Sequence, residues 1–133
     1  MLLAPLCANA SLNKMGTGAV RTVNCIVSDP GKLKDEVGFK ENHQMQIDSL
    51  HDGFITLYQN SSPVITELKG SLMLEKTKFS VTARDTSEYP SSAEVRMKGS
   101  FVGRGRGSLT LKLIDSEGTF EGTALLKDCI WSQ

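Results

Sequence analysis

The residues best suited to chemistry lie near the C-terminus, in the run Gly103-Arg104-Gly105-Arg106-Gly107. Glycine leaves backbone amides open to approach, and a guanidinium matches phosphate, sulfate or carboxylate in shape and charge. Arg104 and Arg106 are therefore candidate contacts to an anionic group or an acidic partner. The plainer reading carries more weight: a hairpin whose glycines supply positive φ angles, with the arginines as solvated tips. The run is not a phosphate-cradling P-loop, because the spacing and the closing Gly-Lys-Ser/Thr are missing. Nor is it long enough to be an Arg-Gly-rich RNA-binding tract.

The two histidines, His43 and His51, have Asp48 and Asp52 nearby. An imidazole beside a carboxylate could act as an acid–base pair or bind a metal, but the spacing fits no zinc motif. Both histidines flank turn-like stretches and read as surface residues, so neither a metal nor a cofactor is expected. A Ser-His-Asp triad assembles from scattered positions, yet there is no Gly-x-Ser-x-Gly elbow. Asp85 with Glu88, and Asp115 with Glu117, could in principle serve glycoside hydrolysis. Platforms for a sugar are scarce, with one Trp, two Tyr and five Phe in the chain. These acids read as solvated loop residues. Asn60-Ser61-Ser62 is a glycosylation sequon on a turn, which matters only in a eukaryotic host.

The elements that must position these residues are strands. Residues 19–27 are rich in β-branched side chains and carry Cys25. Asp29-Pro30-Gly31 signals a turn, and residues 32–36 allow one short helical turn. Residues 44–49 and 54–59 follow as strands, and Asn60-Ser61-Ser62-Pro63 reads as a turn. In residues 64–74 the alternation places Val64, Thr66, Leu68, Gly70, Leu72 and Leu74 on one face. Phe79, Val81 and Ala83 define the next strand. Residues 93–102, 108–114 and 119–126 form a closing meander with Val95, Met97, Gly99, Phe101, Leu109, Leu111, Phe120 and Ala124 inward. The period breaks before Cys129 and Trp131, so a bulge near Lys127 is expected.

About eight strands joined by short turns are antiparallel neighbours, each with one apolar and one polar face. The expected fold is all-β, a small antiparallel up-and-down barrel, with a β-sandwich as the alternative. Closure removes the exposed edges of an open meander. It also makes the first and last strands neighbours, so Cys25 and Cys129 can bridge the closing seam. In the loop-entropy description a link of that length contributes about 4–5 kcal/mol. The inward face mixes large and small residues. The small ones either let a filled barrel taper or leave room for an apolar ligand beside Met97, Phe101 and Phe120. The filled core is the favoured reading.

At 133 residues, with 39% hydrophobic and 23% charged content, the chain has the size of one globular domain. Fifteen basic and fifteen acidic residues cancel, which argues against nucleic acid or an anionic membrane as partner while permitting a local basic patch. No stretch approaches the roughly 18 apolar residues of a membrane span. Residues 1–10 resemble the end of a secretory signal, with Ala8-Asn9-Ala10 as the small-x-small site, followed by a single β domain over 11–133. Its removal would take Cys7 and leave an even cysteine pair, as expected for an exported protein, periplasmic or extracellular.

The size and strand order are similar to those of lipocalin-type and other small periplasmic barrels. The Gly-x-Trp signature of lipocalins is absent near the first strand, and likeness of fold supplies no function. The expected function is non-enzymatic binding, either of a small apolar ligand inside the barrel or of a protein partner through loops bearing Arg104 and Arg106. A small secreted hydrolase or a structural surface component is the alternative.

Overall fold

The structure, a computed structural model, describes residues 20–50, 53–85 and 92–132. The signal-like segment 1–10 with Cys7, and His51, Asp52, Glu88 and Pro90, lie outside the described residues. Eight strands follow one another: β1 (Val20–Asp29), β2 (Gln44–Leu50), β3 (Phe54–Gln59), β4 (Ser62–Leu74), β5 (Lys78–Asp85), β6 (Ser92–Ser100), β7 (Arg106–Asp115) and β8 (Gly118–Ser132). A one-turn helix, α1 (Leu33–Val37), lies between β1 and β2. Each strand pairs antiparallel with the next, and β8 returns to β1, so the sheet closes as an up-and-down barrel.

Period-two alternation sends one set of side chains into the barrel. Val23, Ile47, Leu57, Leu68, Val81, Val95, Leu109 and Ala124 are buried in one cluster that spans all eight strands. The outward set is mixed: Thr82, Arg96, Thr110 and Thr123 line four adjacent strands, while Met73 of β4 and Leu125, Ile130 and Trp131 of β8 are exposed apolar residues. Among the described residues no helix is long and apolar enough to cross a membrane.

Helix α1 closes one end of the barrel. Its Leu33 and the following Phe39 are fully buried. Gly38 takes a left-handed conformation, and the Phe39 amide donates back to the Leu33 carbonyl at 3.1 Å, which turns the chain inward. At the other end Arg21 of β1 reaches the Leu72 carbonyl of β4 at 3.4 Å, tying two non-adjacent strands.

Three local expectations need correction. The turn before β4 is the two-residue loop Asn60-Ser61, both at positive φ, so Ser62 and Pro63 already pair with β3. This is the loop type whose twist suits a hairpin. The single face drawn through Val64, Thr66 and Leu68 is interrupted. Glu67 has φ 59°, the register slips there, and Ile65 sits opposite buried Leu57 while Thr66 is exposed. The extra residues of a bulge reverse side-chain parity. Finally, β8 does not stop near residue 126 but runs through its own bulge to Ser132.

That second bulge sits on the seam. Asn24 pairs with Ile130 and Ile26 with Lys127, so both Asp128, at φ 54°, and Cys129 oppose Cys25. Cys25 and Cys129 form a disulfide across the β1–β8 seam, with their Cα atoms 4.1 Å apart and a sequence separation of 104. Both are buried. Gly105 packs against the same bulge: its carbonyl accepts from the Cys129 amide at 3.4 Å. A Cβ on Gly105 would lie 2.7 Å from the Cys129 carbonyl oxygen and 2.9 Å from that of Ser100.

Two stability measurements test this seam. Replacing Cys25 and Cys129 together with Ala should lower the unfolding free energy by about 4 kcal/mol, read from urea transitions; an unchanged midpoint would show that the seam closes without the bond. Gly105→Ala should cost roughly 2 kcal/mol or more, through positive φ and backbone collision. Gly103→Ala, at φ 65° but with open space around it, should cost only about 1 kcal/mol. Equal losses would mean that Gly105 matters for its turn alone.

Candidate functional site

The candidate residues do not converge. Met97 is 1% exposed and belongs to the core. Phe101 is half-buried, with its ring 5.0 Å from that of Phe79. Phe120 lies at the opposite end of the barrel, paired with Leu113 near the β7–β8 turn. Arg104 stands exposed on a turn closed by the Gly105 amide on the Val102 carbonyl at 2.9 Å. Arg106 has left the turn and is the first residue of β7.

The small inward residues are occupied by neighbours. A Cβ at Gly99 would meet the Phe79 ring at 2.8 Å, and one at Gly122 would meet the Phe120 ring at 3.0 Å and Leu33 at 3.2 Å. At Gly70 it would run into Ala83 and its backbone. The spaces at Gly99 and Gly122 are thus taken by larger side chains, and Gly70 lets the neighbouring strand backbone approach closely.

Arg106 instead lines a groove on the outside of the barrel. The groove has a volume of about 700 Å³ and runs across β4 to β7, with Met73, Glu75, Lys78, Ser80, Lys98, Ser100 and Ser108 along its walls. Its floor is the backbone of Gly99 and Gly107 together with Phe79. Strand register explains the arrangement. Three successive strands carry the same local pattern of a cation, one inward residue and a serine: Lys78-Phe79-Ser80, Lys98-Gly99-Ser100 and Arg106-Gly107-Ser108. Because β6 runs opposite to β5 and β7, Lys98 pairs with Ser80 and with Ser108, and Ser100 pairs with Lys78. Cations and hydroxyls thus alternate across the sheet in a checkerboard. The alternation ends at the next strand pair, where Arg106 lies opposite Lys127 of β8 and two like charges face each other.

Lys78, Lys98 and Arg106 have no ion-pair partner among the described residues. The nearby Arg96 is the one cation of this face paired there, 3.6 Å from Glu121. Ser100 accepts a hydrogen bond from the Val102 amide at 3.1 Å, tying the checkerboard to the Gly-Arg turn. One carboxylate, Glu75, borders the groove.

The other constellations separate. His43 is half-buried with its Nδ1 lacking a hydrogen-bond partner, and it pairs with no carboxylate among the described residues. Asp48 Oδ1 instead accepts from Thr22 Oγ1 at 2.9 Å and Gln46 Nε2 at 2.8 Å. Asp115 accepts from the Glu117 amide at 2.8 Å and shapes a solvent-exposed turn. Among the described residues no group of three or more His, Cys, Asp or Glu could hold a metal ion.

Of these groove residues Arg106 was legible in the sequence, whereas Met73, Lys78, Ser80, Lys98 and Ser108 were not. The available signal was the repeated cation-x-Ser spacing. It gains meaning only once the register of three strands is known.

The fold defines the class: a closed eight-stranded antiparallel barrel with a cationic groove on its outer wall. Neither a family model, nor a curated protein, nor a solved structure matches this chain.

On the far face, Tyr58 lies beside Gln46 on the β2–β3 pair. Burial raises its phenol pKa above the ordinary value, and the negative charge of Asp48 adds to the effect. A folded-state pKa above the unfolded one gives a contribution that is complete below the unfolded value and is lost as pH rises through the folded value. As pH rises above about 10 the urea midpoint should therefore fall more steeply for the wild type than for Tyr58→Phe. Parallel curves would show that Tyr58 ionises as freely folded as unfolded.

Proposed function

We propose that the chain is an exported, non-enzymatic binding domain that takes an anionic group of its ligand or partner on the outer wall of the barrel. The observation that carries this reading is the checkerboard of Lys78, Lys98 and Arg106 with Ser80, Ser100 and Ser108 around one groove. Cations without a partner, interleaved with hydroxyl donors, offer both charge and directed hydrogen bonds to an oxyanion. Export is supported by the Cys25–Cys129 bridge, since structural disulfides persist in oxidising compartments. A carrier holding an apolar ligand inside the barrel is less favoured, because Phe79 occupies the space beside Gly99, and Phe120 and Leu33 that beside Gly122.

Inorganic phosphate, titrated at low ionic strength and followed by backbone amide NMR, tests the reading. The amides of residues 78–80, 98–100 and 106–108 should shift and saturate while those of α1 stay in place. Lys98→Ala with Arg106→Ala should abolish the response and leave the fold intact. Shifts that survive in this double variant, or that centre elsewhere, would refute the assignment.

A further inference from the structure

The groove carries more than a single anion site. Its three cations stand on three consecutive strands, and neighbouring strands are about 4.8 Å apart. Lys78 and Arg106 are thus separated by roughly two strand spacings, with Lys98 between them but one row along. A single oxyanion would meet all three only if their side chains folded together, whereas extended side chains present charge at three separate points. The Ser80, Lys98 and Ser108 row and the Lys78 and Ser100 pair contain no carboxylate. A ligand that uses the whole groove must therefore carry several negative groups, spaced by something that also presents hydroxyls or ring oxygens to the serines.

Resting on the anion-binding reading, we propose that the groove takes a multiply charged saccharide, a sulfated sugar chain, with successive sulfates on Lys78, Lys98 and Arg106. A hexose ring spans about one strand spacing, so consecutive sugars place their substituents from strand to strand. Ser80, Ser100 and Ser108 face the sugar hydroxyls and sulfate oxygens between the cations. The exposed thioether of Met73, 62% accessible, gives one apolar wall against the C–H face of a ring. The groove is open along its outer side, which admits a chain rather than enclosing a small molecule.

Nucleic acid fits less well. Single-stranded nucleic acid is held by bases stacked on exposed aromatic rings, and the sole aromatic bordering the groove, Phe79, is 3% exposed. The apolar part of the lining, Met73 and Phe79 with the glycine backbone, also suits an acyl chain, so tighter binding to vesicles of anionic lipid than to the sulfated saccharide overturns the saccharide class.

The experiment measures binding of a fluorescent heparin-derived hexasaccharide to the full chain over a range of salt concentrations. Release of counterions makes the logarithm of the affinity fall with the logarithm of salt at a slope near the number of charges neutralised, here about three. Removing one cation, as Lys98→Ala, should lower that slope by about one and weaken binding roughly tenfold. Ser80→Val with Ser108→Val should weaken binding several-fold without changing the slope, since it removes hydrogen bonds and no charge. The desulfated hexasaccharide should not bind. A slope near one, or equal affinity with and without sulfation, overturns the proposal. Tighter binding of a DNA oligonucleotide of equal charge overturns the saccharide class. In each of these cases a localised phosphate response would leave the anion-binding reading standing, and its loss would remove both.

Discussion

The structure depends on how its seam is closed. An eight-stranded meander has two raw edges, and β1 and β8 remove them only by finding each other across the whole length of the chain. The pairing is non-local, and the entropy of closing so long a loop opposes it. The Cys25–Cys129 link fixes the two edge strands at one point, and it does so at a bulge. Asp128 turns left-handed, one strand gains a residue over the other, and Cys129 keeps its inward direction opposite Cys25. Without the bulge the parity of β8 would put either Leu126 or Cys129 outside.

The Gly-Arg run belongs to this closure before it belongs to any site. Gly105 is buried against Cys129, and only a residue without Cβ fits there at positive φ. The position of Gly105 in turn decides where β7 begins, and so which arginine enters the sheet. Arg104 is left on the turn, while Arg106 becomes the outward first residue of a strand. Two arginines that are equivalent in the sequence acquire different surroundings from one tight contact between backbones.

Much of the architecture was legible in the residues themselves. The inward alternation of Val95 and Met97, of Leu109 and Leu111, and of Phe79, Val81 and Ala83 placed the later strands. The cysteine pair followed once the strands were ordered. The bulge at Glu67 was not legible, because glutamate carries no local signal for a left-handed conformation, and the alternation through Thr66 looked continuous. The groove was hidden for a different reason. Lys78-Phe79-Ser80 and Lys98-Gly99-Ser100 are unremarkable triplets in isolation, each with the polar outward face expected of a half-buried strand.

What converts those triplets into a surface is the reversal of chain direction at every turn. In parallel strands the same spacing would stack cation on cation, and like charges directly opposite one another are destabilising. In antiparallel strands it sets Lys78 opposite Ser100 and Lys98 between Ser80 on one side and Ser108 on the other, while Arg106, at the margin, faces Lys127 of β8. The barrel can thus hold three positive groups on adjoining strands without direct cross-strand repulsion among them. The inward residues between them complete the arrangement: Phe79 fills the space that Gly99 leaves empty, which lets the sheet stay closely packed beneath the groove. The same register that closes the core therefore also spaces the charges on its outer wall.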